Sequence, residues 1–212
     1  MLTITAGGST TNGNNRWPDQ LLARMQASVS TSNIAVLNQA AGGNRILNDG
    51  LGPSALSRLE RDVIAQPGVR YALIYEGVND LGTSPTDAAS LAKVGDRLLS
   101  AYDQMVTRLH RAGIAAFGAT ITPMSGPGQT YSDPGREAQR QRVNEWIRTS
   151  GRFDAIVDFD LAVRDPRNVT QLSPTYDVGD YLHLNPEGYR TMAAAVDLSL
   201  FDKFAGGVRT MV

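Results

Sequence analysis

Short aliphatic and β-branched runs alternate along this chain with stretches of helical spacing, and that alternation limits the fold more than any other feature. The pattern predicts strands at Leu2–Ala6, Ile34–Leu37, Tyr71–Tyr75, Ile114–Ile121 and Ala155–Phe159. Helices are expected between them at Trp17–Ser28, Pro53–Gln66, Asp87–Ala112 and Gly135–Ser150, and after an irregular stretch from Arg164 to Leu184, at Pro186 to about Phe204. Strands joined through helices lie parallel, because each crossover must return the chain to the same edge of the sheet. The reading is therefore an α/β fold with a five-stranded parallel sheet and helices on both faces, a three-layer α/β/α sandwich. At 212 residues the chain suffices for one core, and no linker or repeat divides it, so residues 1–212 read as a single domain.

Sheets of this kind hold ligands beyond the carboxyl ends of their strands. Three loops fall there, 7–13, 38–44 and 76–82, all rich in Gly, Asn, Ser or Thr. A net charge of -1 gives no electrostatic reason to expect nucleic acid or an anionic membrane surface as partner. The absence of cysteine removes disulfides, thiolate metal sites and a cysteine nucleophile. No apolar run approaches a membrane span. Met1–Ala6 carries no charge and is too short for a secretory signal, so the expected location is cytoplasmic, or secreted by a leader outside this sequence.

One of the two histidines lies in Asp180-Tyr181-Leu182-His183-Leu184-Asn185-Pro186. A carboxylate three residues ahead of a histidine can orient one ring nitrogen and leave the other to take a proton, as a general base requires. The second histidine, His110, falls near a helix C-terminus, where positive charge is favoured, and has no assigned role. Gly7-Gly8-Ser9 would turn sharply out of the first strand and leave a hydroxyl exposed. Gly8 and Gly13 have the glycine spacing of a phosphate-binding loop, but Asn14-Asn15 stand where its Lys-Ser/Thr belongs. No Gly-x-Ser-x-Gly elbow is present. The Ser9 backbone N–H, a backbone N–H from Gly42-Gly43-Asn44 and the Asn79 side-chain amide would give three neutral donors from three neighbouring loops, the make-up of an oxyanion hole.

Together these residues resemble the four blocks of the SGNH, or GDSL-type, hydrolases. The blocks are Gly7-x-Ser9-x-Thr11-x-Gly13, a glycine after the second strand, Gly77-x-Asn79-Asp80, and Asp180-x-x-His183. The resemblance covers essentially the whole chain. It implies a flavodoxin-like fold and metal-independent ester hydrolysis. Ser9 would be the nucleophile, His183 the base and Asp180 its orienting carboxylate, with Ser9, Gly43 and Asn79 as the oxyanion hole. It implies neither cofactor nor metal.

The first block departs from the family, since Gly7-Gly8-Ser9 lacks the usual Asp. In a second register Thr3-Ile4-Thr5-Ala6-Gly7 is a degenerate first block, and Thr3 takes the nucleophile position. A central first strand made by Leu2–Ala6 puts Ser9 at its carboxyl end and favours Ser9. The loops show no long apolar groove, so short acyl esters, acetyl above all, of simple alcohols or sugars are the expected substrates. Arg45, Tyr181 and Leu182 are candidate substrate contacts. The alternative function is a non-catalytic or weakly active carbohydrate-binding protein on the same fold.

Overall fold

The structure, a computed structural model, describes residues 7–208. The expected first strand, Leu2–Ala6, and Thr3 within it lie outside the described residues. The described chain begins with α1 (Trp17–Gln26), opened by Pro18 in its first turn and by Arg16 and Asp19, which bond each other across the helix start. Proline suits this position because the first turn has no partner for its missing N–H. Trp17, Leu21 and Met25, at i, i+4 and i+8, face inward.

The next helix starts later than expected and changes character. α2 spans Ala55–Leu59, capped by Ser54, whose hydroxyl accepts from Ser57 N–H, and a π-helical turn, Glu60–Ile64, continues it. The strand β1 (Tyr71–Ile74) follows, then the one-turn α3 (Val78–Gly82) and the long α4 (Ala88–Arg111). Asp87 caps α4 by accepting from Ser90 N–H at 2.9 Å. The strand β2 (Ala115–Ala119), α5 (Pro134–Thr149), β3 (Ala155–Val157) and the short α6 (Phe159–Val163) come next.

The stretch expected to be irregular from Arg164 to Leu184 opens instead with a hairpin. Strand β4 (Arg164–Asp165) pairs antiparallel with β5 (Asn168–Leu172). Its tight turn is pinned by Arg167, which bonds Asp165 through backbone and guanidinium. The last expected helix is two, α7 (Pro186–Ala195) and α8 (Ser199–Lys203), separated by Val196-Asp197-Leu198.

Among the described residues three of the five expected strands pair. β1 runs parallel to β2 with Leu73 opposite Phe117, and β2 parallel to β3 with Gly118 opposite Ile156. Ile34–Leu37, expected as a strand, is in neither sheet. Alternate strand residues enter different clusters. Ala72, Ile74 and Ala116 join Leu98, Met105, Leu109 and Val143, under α4 and α5. Leu73, Tyr75, Ala115 and Phe117 join Trp17, Leu21, Phe159, Tyr189 and Met192, under α1, α6 and α7. That is the period-two alternation of a strand buried on both faces. Each such Leu or Phe contributes about 1.5–3 kcal/mol by leaving water.

No helix among the described residues is long and apolar enough to cross a membrane.

Candidate active site

Asp180 and His183 sit in a loop whose shape is set by its own side chains. Asp177 accepts the backbone N–H of Tyr181 at 3.1 Å, and Gly179 and Tyr181 both take positive φ, 104° and 60°. A left-handed tyrosine is strained unless its surroundings hold it. Here the ring lies directly over Gly126, where a Cβ would come within 2.1 Å of it. Gln129 reaches across and donates to the Asp180 carbonyl at 2.6 Å. Asn185 then caps α7 by accepting from Gly188 N–H at 2.9 Å. The loop is thus fixed at both ends and in the middle.

Within it, Asp180 does two jobs. Its Oδ1 accepts the backbone N–H groups of Leu182 and His183 at 3.0 and 2.8 Å. Its Oδ2 lies 2.6 Å from His183 Nδ1. Partial burial pushes the carboxyl up, but the His183 ring and these N–H donors outweigh it and hold Asp180 below its ordinary value. With Nδ1–H turned to the carboxylate, Nε2 is left as the acceptor. The His183 side chain remains 36% exposed.

The N-terminal loop lies against that ring. A Cβ on Gly7 would be 2.2 Å from His183 Cδ2, and one on Gly8 would be 2.2 Å from the Leu184 carbonyl oxygen. Gly8 has φ of +70°. Only glycine meets both demands, a left-handed turn and backbone this close to a neighbour. Tyr189, on α7, donates its hydroxyl to the Gly7 carbonyl. Ser9, half-buried, follows directly, and the turn after it is closed by Asn15, which bonds Thr10 through backbone and hydroxyl. Residues more than 170 positions apart are thereby neighbours.

The other two loops are joined to each other. Asn79 donates its amide to the Asn44 carbonyl at 2.8 Å and accepts the Tyr131 hydroxyl at 3.0 Å. Asp80 accepts the backbone N–H groups of Ile46 and Leu47 at 2.8 and 2.9 Å. Asn44 is held in turn by Arg58, which donates twice to its side-chain oxygen. Gly43, with φ of +69°, makes the turn just ahead, and a Cβ there would meet Leu51 at 2.5 Å.

Arg45 does not reach toward the Asp180–His183 loop. It donates to the Asp49 carbonyl and lines a separate polar cleft. Tyr181 packs over Gly126, and Leu182 packs against the core under α4. Sequence reasoning missed Tyr131 and Gln129. Their one signal was position, in the long loop after β2, which ends on the same edge as the other three. Among the described residues no group of three or more His, Asp or Glu side chains is placed to hold a metal ion.

The GDSL-like lipase/acylhydrolase family model matches residues 4–191. No curated protein matches by sequence. Several solved structures share the fold. One, from the G-D-S-L family of Desulfitobacterium hafniense, is 18% identical, with 92% of this chain and 94% of that one covered and a TM-score of 0.62. A variant of an acetyl xylan esterase from Geobacillus stearothermophilus is 21% identical over 92% of this chain and 84% of that one, with a TM-score of 0.63. A GDSL-like lipase from Bacteroides thetaiotaomicron is 17% identical over 86% and 82%, with a TM-score of 0.62.

Proposed function

This chain belongs to the GDSL-like lipase/acylhydrolase family, and on that premise we propose that it is a serine esterase acting on short-chain, above all acetyl, esters. The observation that carries the reading is the meeting of the Gly7-Gly8-Ser9 turn with a histidine already oriented by Asp180. In this reading His183 Nε2 takes the proton of the Ser9 hydroxyl as its oxygen attacks the ester carbonyl carbon. The carbonyl π electrons move onto oxygen. The Ser9 and Gly43 N–H groups and the Asn79 amide hydrogen not used by Asn44 receive that charge. The tetrahedral species collapses, the carbon–oxygen bond to the alcohol breaks, and His183 returns the proton to the departing oxygen. Water, deprotonated by the same nitrogen, then releases the acyl group from Ser9.

The acetyl preference is supported by the acetyl xylan esterase among the structural neighbours. The alcohol is a sugar or a simple alcohol. The full architecture in this reading is one domain with five parallel strands between two helical layers.

Ser9→Ala tests it. Turnover of p-nitrophenyl acetate should fall about 10³-fold or more, with the thermal midpoint unchanged. Retained turnover would move the nucleophile to Thr3, which Thr3→Ala would then abolish. Binding of acetylated sugars by the unaltered protein without turnover would favour the second reading, which the missing Asp of the first block supports: a carbohydrate-binding protein on this fold.

A further inference from the structure

Most arginines of the described chain are paired with a carboxylate, as Arg140 is with Asp160 and Arg152 with Asp103. Three cations that face one cleft are not. Arg45, Lys93 and Arg97 line a polar cleft of about 290 Å³ between the 45–48 segment and the first turns of α4, together with Asn48, Ser84 and Ser90. None of the three has an ion-pair partner among the described residues. Arg97 reaches only the Asn48 side-chain oxygen, at 3.5 Å, and Arg45 the Asp49 carbonyl.

The arrangement opposes ordinary helix design. Lys93 and Arg97 are one turn apart on α4, where like charges destabilise a helix and a glutamate partner would stabilise it. The acids nearby are committed elsewhere. Asp87 caps the helix and Asp96 pairs with Arg142. The one carboxyl in the cleft wall, Asp80, spends its oxygens on Ile46 and Leu47 N–H; burial raises it above its ordinary value, while those N–H groups and nearby Arg45 pull it back, and it stands against three cations. The cleft opening is therefore positive, and the nearby amino end of α4 adds to it.

Two residues of the cleft wall, Arg45 and Asp80, are the chain neighbours of Asn44 and Asn79 in the loops assigned above to the oxyanion. Arg45 follows Asn44, which holds Asn79, and Asp80 follows Asn79 directly. An ester whose carbonyl sits at Asn79 has only a short acyl group on one side. Whatever extends into the neighbouring cleft belongs to the alcohol. We propose that the cleft is a subsite for an anionic group, a carboxylate, sulfate or phosphate, carried by the alcohol part of the substrate, held by Lys93 and Arg97 with Arg45. This rests on the esterase reading and narrows it to acidic esters.

The test compares the full chain with its Lys93→Ala/Arg97→Ala double variant, in which both changes are at exposed positions. The thermal midpoint is measured at constant ionic strength with glucuronate, sulfate, inorganic phosphate or neutral methyl glucoside. One of the anions should raise the midpoint of the unaltered protein, methyl glucoside should not, and the double variant should lose the effect. Which anion works identifies the group. In parallel, kcat/KM for acetylated glucuronate over acetylated methyl glucoside should exceed about tenfold and fall toward unity in the double variant. Equal stabilisation of both proteins, or no stabilisation with an unchanged ratio, overturns the subsite. Anion stabilisation that is lost in the double variant, in a protein that hydrolyses no acetyl ester, keeps the subsite and places the failure in the esterase reading.

Discussion

Asp180 holds His183 at two points: Oδ2 lies 2.6 Å from the ring Nδ1, and Oδ1 accepts the same residue's backbone N–H at 2.8 Å. One carboxylate therefore sets both the position of the histidine in the loop and the tautomer of its ring. Asp180→Asn keeps the size and the acceptor for the backbone N–H, but it can present an N–H to Nδ1 and reverse the tautomer. The expected outcome is a fall in kcat of about 10³-fold or more against p-nitrophenyl acetate, with the circular dichroism spectrum and thermal midpoint little changed. A loss under tenfold would mean that the ring is oriented by the loop alone.

Gly7→Ala probes the same histidine from the other side. The added methyl would fall 2.2 Å from Cδ2 and 2.5 Å from Cγ of the ring, so either the ring or the 7–9 backbone must move. Displacements of about 1 Å at a reacting group reduce turnover about 100-fold. The predicted pattern is a kcat loss of that order, with a thermal midpoint lowered by only a few degrees, since the ring sits at the surface. Undiminished kcat would show that the Gly7–His183 contact is not part of the working site.

Part of this arrangement was legible in the sequence, and for a physical reason. Loops at one edge of a parallel sheet converge, which is why Ser9, Gly43, Asn79 and the Asp180–His183 segment were expected near one another; the contacts described are Asp180 with His183, Gly7 with His183, and Asn79 with Asn44. The individual contacts were not legible. Asn79 and Tyr131 meet through a loop whose path no periodicity encodes. The π-helical turn at Glu60–Ile64 has the same apolar spacing as an ordinary helix. The hairpin of Arg164–Leu172 is too short and polar for its alternation to stand out, and the Arg167–Asp165 ion pair pins its turn. The break at Val196-Asp197-Leu198 contains neither Gly nor Pro.

Arg140 shows the same limit in the core and supports a stability prediction. In the sequence it is one arginine among several on α5. In the structure its side chain is 0% exposed, and it donates to Asp160 at 2.7 Å, to the Ile121 carbonyl at 2.7 Å and to Glu137 at 2.8 Å. Asp160 is equally buried and also bonds Arg148 and Arg164. Removing Arg140 leaves Asp160 its pairs with Arg148 and Arg164 but takes donors from the buried Ile121 carbonyl and from Glu137, so the cost falls at the low end of the range for breaking a buried pair, about 3 kcal/mol. Arg140→Ala should lower unfolding free energy by about that much, read from the urea midpoint at constant slope. Arg152→Ala, at an exposed pair with Asp103, is the control and should change it by less than about 1 kcal/mol.

Glu76 gives the pH dependence of stability. It lies just beyond the end of β1 and is 2% exposed, and neither carboxyl oxygen has a hydrogen-bond partner among the described residues. Arg58 comes only to 3.9 Å. Burial, far ahead of the opposing pull of Arg58, drives the carboxyl well above its ordinary value, so it is protonated in the fold at pH values where the unfolded chain has already released the proton. The unfolded state then binds fewer protons than the folded one, and stability must fall as pH rises above the ordinary carboxyl range toward the folded value. Glu76→Gln keeps the shape and the neutral charge at every pH. Urea midpoints of both proteins from about pH 5 to about pH 8 should therefore diverge, the unaltered protein losing stability with pH and the variant keeping more of it. Parallel curves would mean that Glu76 is ionised in the folded protein and that Arg58, despite its distance, compensates it.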